Sequence, residues 1–317
     1  MQTQRIFPQL IREVCAEQGW KLDSFSQDWI LQISNSESIL HIYGYKWGLN
    51  NGAGQLIADD KSAASQILGD SNVDHIPHTL LLNPNHAQHW HLDVEIEKYI
   101  QETIRRHSFP AVIKPKSGSI GSHVYQVYSP EDAYKIAQKL FSLNQDVVIS
   151  PYISSEYEYR CIVLGGEVML THSKEPPRVE GDGIKNVKEI LQTREPIGNE
   201  SILLTTLSPA VLQQVIPNGM TQVISWKHNL SKGATAQYVP EPPQELTMLA
   251  IQAATVLGLA LCSVDMLYDT MTAQWKVLEV NSGVSLNKCL PYIPNGREKT
   301  KEIYKKAIEF YFNTQLY

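Results

Sequence analysis

The chain has 317 residues, 43% of them hydrophobic and 19% charged, with a formal net charge of −6 at pH 7. That length and balance fit a globular protein of two or three compact lobes and carry no compositional mark of disorder. The acidic balance, with a pI near 5.9, argues against the basic face that a nucleic-acid partner would need.

A membrane partner is not expected either. The longest apolar run, Leu249 to Leu267, carries Gln252 and Asp265 and breaks near Gly258, too short and too polar to span a bilayer. The opening Met1-Gln-Thr-Gln-Arg-Ile-Phe-Pro8 lacks an apolar signal region. Cys15, Cys161, Cys262 and Cys289 lie far apart with no CxxC pair. Free buried thiols and a cytoplasmic location follow as expectations.

Apolar spacing predicts an amphipathic helix over 9–18, with Leu10, Ile11, Val14 and Cys15 on one side. Residues 29–34 and 38–44 read as a hairpin turning on Asn35-Ser36-Glu37. A loop rich in Asn and Gly covers 48–54, and Asp59-Asp60-Lys61 leads into a short helix over 62–68. Gly69, Asp70, Asn72 and Pro77 then cluster as a boundary, which sets off a small N-terminal α/β domain, residues 1–77.

A strand at 79–82, a helix over 93–107 and a strand at 111–115 come next. A Gly/Ser loop, a strand at 123–128, a helix over 130–143 and a strand at 146–150 complete a small α+β lobe, residues 78–150. The last lobe, residues 151–317, opens with strands 157–164 and 167–171 turning on Gly165-Gly166. A long polar segment, 174–201, holds a short helix at 187–191. A helix over 209–215, a strand at 221–226, a loop at 227–236 and a helix over 244–257 precede an acidic hairpin. A terminal helix spans 297–312.

That hairpin, Leu261 to Gly283, brings Asp265 on its first strand and Glu279 and Asn281 on its second. Residues two apart on a strand share a face, so three hard oxygen donors converge if the strands pair in that register. Such a set suits Mg²⁺, which takes few protein ligands and keeps water and phosphate in its shell. An ordinary hairpin with a solvated polar face is the competing reading.

Upstream, Lys114-Pro-Lys116-Ser117-Gly118-Ser119-Ile-Gly121-Ser122 follows an apolar strand. Small residues let the backbone approach a polyphosphate, with lysine as the point charge. It is not a Walker loop, because no Gly-Lys-Ser/Thr opens a helix. Lys114 ends the run Ala-Val-Ile and needs an anion if it is buried. In the crossing Tyr152 to Arg160, Ile153 offers its backbone to an adenine edge and Glu158 an acceptor to a ribose hydroxyl, with a solvated linker as the alternative. In Asn229-Leu-Ser-Lys-Gly-Ala-Thr-Ala236, Lys232 with nearby Lys227 could reach a transferring phosphoryl group. Amides near Gly233 could receive an anionic oxygen, and a surface turn is the alternative.

These stretches, in this order, resemble the ATP-grasp ligases from about Ala58 to Asn281. The likeness is closest to the ATP-grasp portion of cyanophycin synthetases, through Gly181-Asp-Gly183 and the Asn229 loop, with glutathione synthetases next. The fold the resemblance implies is α+β, two lobes clasping ATP behind the N-terminal domain. It implies ATP-driven amide bond formation through an acyl phosphate, on an amino acid or short peptide.

Carried over, Lys114 would contact the nucleotide phosphates or the adenine, Lys116 and residues 117–122 would cover the phosphates, Ser150 and Ile153 would lie at the adenine, and Glu158 would hold the ribose. Asp265, Glu279 and Asn281 would hold two Mg²⁺, with Mn²⁺ as a substitute. Departures stand beside the likeness. Ser150 replaces a frequent Glu, Ser263 replaces an oxyanion-supporting Arg of D-alanine–D-alanine ligases, and Ser282-Gly283-Val-Ser285 replaces the usual Pro-Gly in a substrate-binding region.

Arg160, Lys174 and Arg178 are the candidates for a substrate carboxylate, against a reading as plain surface charges. No second, Mur-ligase-like module is visible, which argues against polymerisation and leaves the choice between single ligation and polymerisation open. A homo-oligomer stays open. The alternatives are a small-molecule kinase, for which only Asp269 offers a base, and a silent nucleotide- or peptide-binding scaffold. The histidines of His86-Ala-Gln-His-Trp-His91 lack partner acids or cysteines and read as a polar loop.

Overall fold

The computed structural model describes residues 5–87, 95–118, 121–193 and 202–314. Helix α1 (Ile6–Gln18) buries Phe7, Leu10, Ile11, Val14 and Cys15 and ends on Gly19 at φ 69°, a left-handed cap. Strands β1 (Lys21–Phe25), β2 (Ile30–Ser34), β3 (Ile39–Tyr43) and β4 (Lys46–Trp47) follow as one antiparallel sheet in chain order. The central hairpin is the expected one. The outer strands were not legible: β1 carries no buried residue and β4 is only a dipeptide.

Helix α2 (Gly52–Asp59) starts inside the stretch expected as loop. Its glycines disguise it, but the Asn51 side chain accepts from the Gly54 amide at 2.6 Å and caps it. Helix α3 (Lys61–Asp70) is capped by Asp60, whose carboxylate accepts from the Ser62 and Ala63 amides, each at 3.1 Å.

The middle of the chain is a four-stranded antiparallel sheet of order β5-β8-β6-β7 with helices against it. In sequence these are β5 (Thr79–Leu81), α4 (Pro84–Ala87), α5 (Ile96–Arg106), β6 (Ala111–Pro115), β7 (Tyr125–Val127), α6 (Pro130–Ser142) and β8 (Val147–Pro151). Its core is its own, built from residues such as Ile100, Ile104, Ile113, Leu140 and Ile149. His86 hydrogen-bonds Asp146 through Nδ1 at 2.9 Å. His89, His91 and the expected helix start at Asp93 lie outside the described residues.

The last part is built on a five-stranded antiparallel sheet of order β13-β10-β9-β14-β15. In chain order it contains β9 (Glu158–Leu164), β10 (Glu167–Glu175), β11 (Arg178–Glu180), α7 (Val187–Thr193), α8 (Leu203–Thr206), α9 (Pro209–Leu212) and β12 (Thr221–Val223). Then come β13 (Thr235–Tyr238), α10 (Gln244–Val256), β14 (Leu261–Asp269), β15 (Gln274–Asn281) and α11 (Gly296–Thr314). Strands β11 and β12 pair as a small separate ribbon over a satellite core around Val179, Val187 and Ile216.

The five-stranded sheet is covered on both faces, which explains the buried apolar runs in its central strands, Cys161 to Leu164 of β9 and much of Leu261 to Leu267 of β14. Cys161, Val163, Cys262 and Val264 pack with α10 and with Ala64 and Leu68 of α3. On the opposite face Ile162, Leu164, Leu170 and Leu261 join Phe7, Leu31, Leu40 and Trp47 with Tyr304 and Ile308 of α11. Residues 5–77 therefore contribute to two cores, each shared with the last lobe. The four cysteines are free and buried.

Trp47 is fully buried, with its ring 5.9 Å from Phe7 and 5.6 Å from Tyr304 between centroids. Trp47→Ala should cost about 3–5 kcal/mol through the cavity it leaves, seen as a fall in Tm. Because the core is shared, amide exchange should lose protection in β9 and β14 as well as in β2 and β3. Loss confined to residues 21–47 would contradict the shared core.

Candidate active site

Strand alternation and register place the chemistry. Asp265 of β14 stands opposite Arg160 of β9 on one side and Glu279 of β15 on the other, and Ser263 stands opposite Asn281. Across β9 and β10, His172 pairs with Arg160 and Lys174 with Glu158. Since side chains on one face recur every second residue, these groups share a face with Ile162, Leu164 and Leu261. The apolar end of that face lies in the core, and the polar end opens into a cleft of about 1110 Å³. A bulge in β15 at Asp265/Met266 adds Leu278 to the same cleft lining as Glu279.

Asp265 is 4% exposed and is satisfied by cations. Arg160 grips it in a fork, Nε to Oδ1 at 2.7 Å and Nη2 to Oδ2 at 2.5 Å. Lys174 Nζ donates to Oδ1 at 2.9 Å and also pairs with Glu158. Asn281 Nδ2 donates to Oδ2 at 3.3 Å. Burial alone would raise the Asp265 carboxyl, but Arg160 and Lys174 outweigh it and hold it well below the usual range. His172 is pushed down to about 3 by burial and by the charges of Lys174 and Arg160, so it stays neutral.

Glu279 is met from the other side by Lys61, Nζ to Oε1 at 3.3 Å. Lys61 is 8% exposed and also donates to the Gly118 carbonyl at 3.1 Å. It thus ties the small-residue loop to the expected metal carboxylate. Sequence reasoning places Lys61 only as a lead-in to a short helix. The signal available was its place at the first turn of a helix capped by Asp60.

The opposite wall comes from the central sheet. Lys114 of β6 is 6% exposed and makes no ion pair among the described residues. Burial brings its ammonium down to about 8, with Glu279 the strongest opposing influence. Ser117, Gly118, Gly121, Ser150 and Ile153 line the cleft beside it. Ser119 lies outside the described residues. Gly121 sits at φ 63° against the Asn229 loop, where an added Cβ would stand 2.4 Å from Asn229 Oδ1. The two small-residue loops therefore meet directly.

Not every expected residue faces this space. Lys116 pairs with Asp60 and Asp146, each at 3.4 Å, and does not line the cleft. Lys227 lines it, stacked 5.8 Å from the Trp226 ring centroid. Lys232 and Gly233 do not; Gly233, at φ 89°, packs against Leu203. Arg178 pairs with Glu156 at 2.9 Å away from the cleft. Arg160 and Lys174 line the cleft, as do Ser282 and Gly283, but both cations already hold carboxylates of the chain. Asp269 pairs with Lys276 at 3.5 Å and lies off the cleft.

Asp265, Glu279 and Asn281 make a hard-oxygen set of two carboxylates and an amide. Among the described residues no group of three or more His, Cys, Asp or Glu stands ready for a metal. The donor chemistry fits a Mg²⁺ ion that arrives with phosphate and water completing its shell. No helix among the described residues is long and apolar enough to cross a membrane.

Comparison with known proteins agrees with this geometry. A bifunctional glutathione biosynthesis protein of Listeria welshimeri is 24% identical over 225 residues, 63% of this chain and 28% of that protein. A protein of Mycoplasma pneumoniae described as an uncharacterized MG012 homolog is 26% identical over 243 residues, 74% of this chain and 65% of that protein. The chain thus spans under a third of the length of the glutathione biosynthesis proteins it matches. Among solved structures, a bifunctional glutathione synthetase from Pasteurella multocida superposes with a TM-score of 0.59 at 17% identity, covering 97% of this chain and 44% of that one. Residues 58–188 and 210–296 match the RimK-like ATP-grasp domain. That match takes in more than half of the chain and every strand of the cleft's two main walls, and the chain belongs to the RimK-like ATP-grasp family.

Proposed function

We propose that this ATP-grasp carboxylate–amine ligase joins an amino acid or short peptide to an amine, through an acyl phosphate, with release of ADP and phosphate. The observation that carries this reading is the pairing of Asp265 with Glu279, and of Ser263 with Asn281, on a sheet face that opens toward Lys114. Within the family, Gly181-Asp-Gly183 and the Asn229 loop favour a substrate set like that of the ATP-grasp portion of cyanophycin synthetases. A cytoplasmic setting fits four free thiols.

In this reading Lys114 and the 117–122 loop hold the phosphates, and Ser150 with Ile153 borders the adenine. Asp265, Glu279 and Asn281 hold Mg²⁺. When bound, Mg²⁺ supplies neutralisation of the charge on the transferring phosphoryl group. Lys61 and Lys174 neutralise Glu279 and Asp265, and they would stand beside phosphate oxygens were those carboxylates to hold the ion. Arg160, fixed in its fork, keeps Asp265 oriented. Neutral His172 adds no charge to this face. The amine substrate needs only positioning beside the activated acyl group. Asp269, the base considered for phosphorylation of a hydroxyl, lies off the cleft.

Glu279→Gln should lower ADP release with Mg²⁺ and pooled amino acids or dipeptides by roughly 100-fold or more while the Tm stays close to that of the parent. Parent-like turnover in this variant would remove the metal role. Turnover with an acid alone, needing no amine, would remove the ligase reading.

Lys114 makes ATP binding pH-dependent. Below pH 8 its ammonium is charged and strengthens phosphate binding; above pH 8 the charge is lost. Affinity for ATP measured by calorimetry should fall by up to about tenfold per pH unit above 8, with proton uptake on binding, and Lys114→Met should flatten the profile. Stability moves the other way. The unfolded lysine keeps its proton up to its ordinary value of 10.5, so the unfolded state holds more protons between pH 8 and 10.5. The contribution of this group to stability therefore rises with pH across that window.

A further inference from the structure

The cleft has a wall that the nucleotide and metal leave unused, and the N-terminal sheet builds it. Trp29, Tyr43 and Tyr45 line the cleft there. Trp29 stands edge-on to Tyr43 at 6.1 Å and to Tyr45 at 6.3 Å between ring centroids. Trp29 is 42% exposed and Tyr43 62%, yet the array is fixed. Gly44, at φ 63°, leaves no room for a Cβ, which would lie 2.8 Å from Trp29 Cζ2. The Arg5 guanidinium lies 4.8 Å from the indole centroid. Ordered aromatic surface facing a cleft is what a flat or large apolar side chain binds.

Backbone register sets how far this wall lies from the reacting centre. The Val284 amide donates to the Tyr45 carbonyl at 3.0 Å, and Lys46 bridges to Gly283. Gly283 is two residues past Asn281, and two residues of chain span at most about 7 Å. The aromatic wall therefore begins within two residues of the strand end that carries Asn281.

The same end of the cleft carries a solvated cation and two unpartnered polar atoms. Lys288 lines it, exposed to solvent and with no ion pair among the described residues. Partial desolvation lowers its ammonium, and the cations Arg160 and Lys232 lower it further. Asn287 Oδ1 and Ser282 Oγ, both on the cleft lining, are buried without a hydrogen-bond partner among the described residues. Ser282 is 1% exposed. A cation without a carboxylate and an acceptor without a donor together ask for a ligand that carries both.

We propose that this end of the cleft binds an amino acid or short peptide bearing an aromatic side chain and a free carboxylate. The side chain lies on Trp29 and Tyr43, the carboxylate on Lys288, and an N–H of the ligand on Asn287. This assignment rests on the ligase reading for what happens next, but the binding step stands without it.

The test is calorimetry on the full chain with three probes: Ala-Phe, Ala-Ala and Ala-Phe amide. The parent protein should bind Ala-Phe at least about tenfold more tightly than either of the others. Trp29→Ala combined with Tyr43→Ala should erase the preference over Ala-Ala, with affinity for ATP and Tm retained. Lys288→Met should erase the preference over the amide. Equal affinity of the parent for all three probes, or preferences that survive these substitutions, would overturn the proposal. So would a Lys288→Met variant that loses ATP affinity and keeps its selectivity for the free acid, since that would make Lys288 a phosphate ligand. ADP release is read separately: selective Ala-Phe binding with no ADP release from any acid and amine would remove the ligase reading and leave the subsite standing.

Discussion

A buried carboxylate constrains the whole catalytic end of the molecule. Asp265 lies inside a sheet covered on both faces, where an unpaired charge costs several kcal/mol. The chain meets that cost by setting Arg160 directly opposite it on the neighbouring strand β9 and reaching it with Lys174 from β10, the next strand out, two residues along from the register position that His172 holds. Lys174 then needs Glu158, and the result is a row of alternating charges across three strands. The strands fix where each member's backbone stands, so a ligand entering the cleft meets a charge pattern already in place.

The same logic links the lobes. Lys61 comes from the N-terminal part, Gly118 from the central sheet and Glu279 from the last lobe, and one ammonium joins all three. On the far side Gly121 closes on Asn229 with no space for a side chain between them. At these points the cleft is bounded by contacts that small and charged residues make, in the two loops whose small residues the sequence already shows.

How much of this was legible depended on the range of the determining interaction. The hairpin of β14 and β15, with its oxygen donors two residues apart, was readable because strand periodicity is local. The helices α6, α10 and α11 followed from apolar spacing. Lys116 and Arg178 looked like ligand-binding cations, but Asp60, Asp146 and Glu156 claim them, and those partners are set by tertiary packing. Lys61 was hidden for the converse reason, its partners being 57 and 218 positions downstream. The aromatic wall was also beyond reach, since nothing in residues 29–45 says that β4 will pair with Gly283.

Helix α11 packs on α1 and on the N-terminal sheet in one core. That packing joins segments at opposite ends of the described chain, which gives the core very high contact order. During synthesis the central sheet can condense once its own residues have emerged, because its core is self-contained. The N-terminal strands must wait, apolar face uncovered, until α11 has emerged from the ribosome and can pack on them.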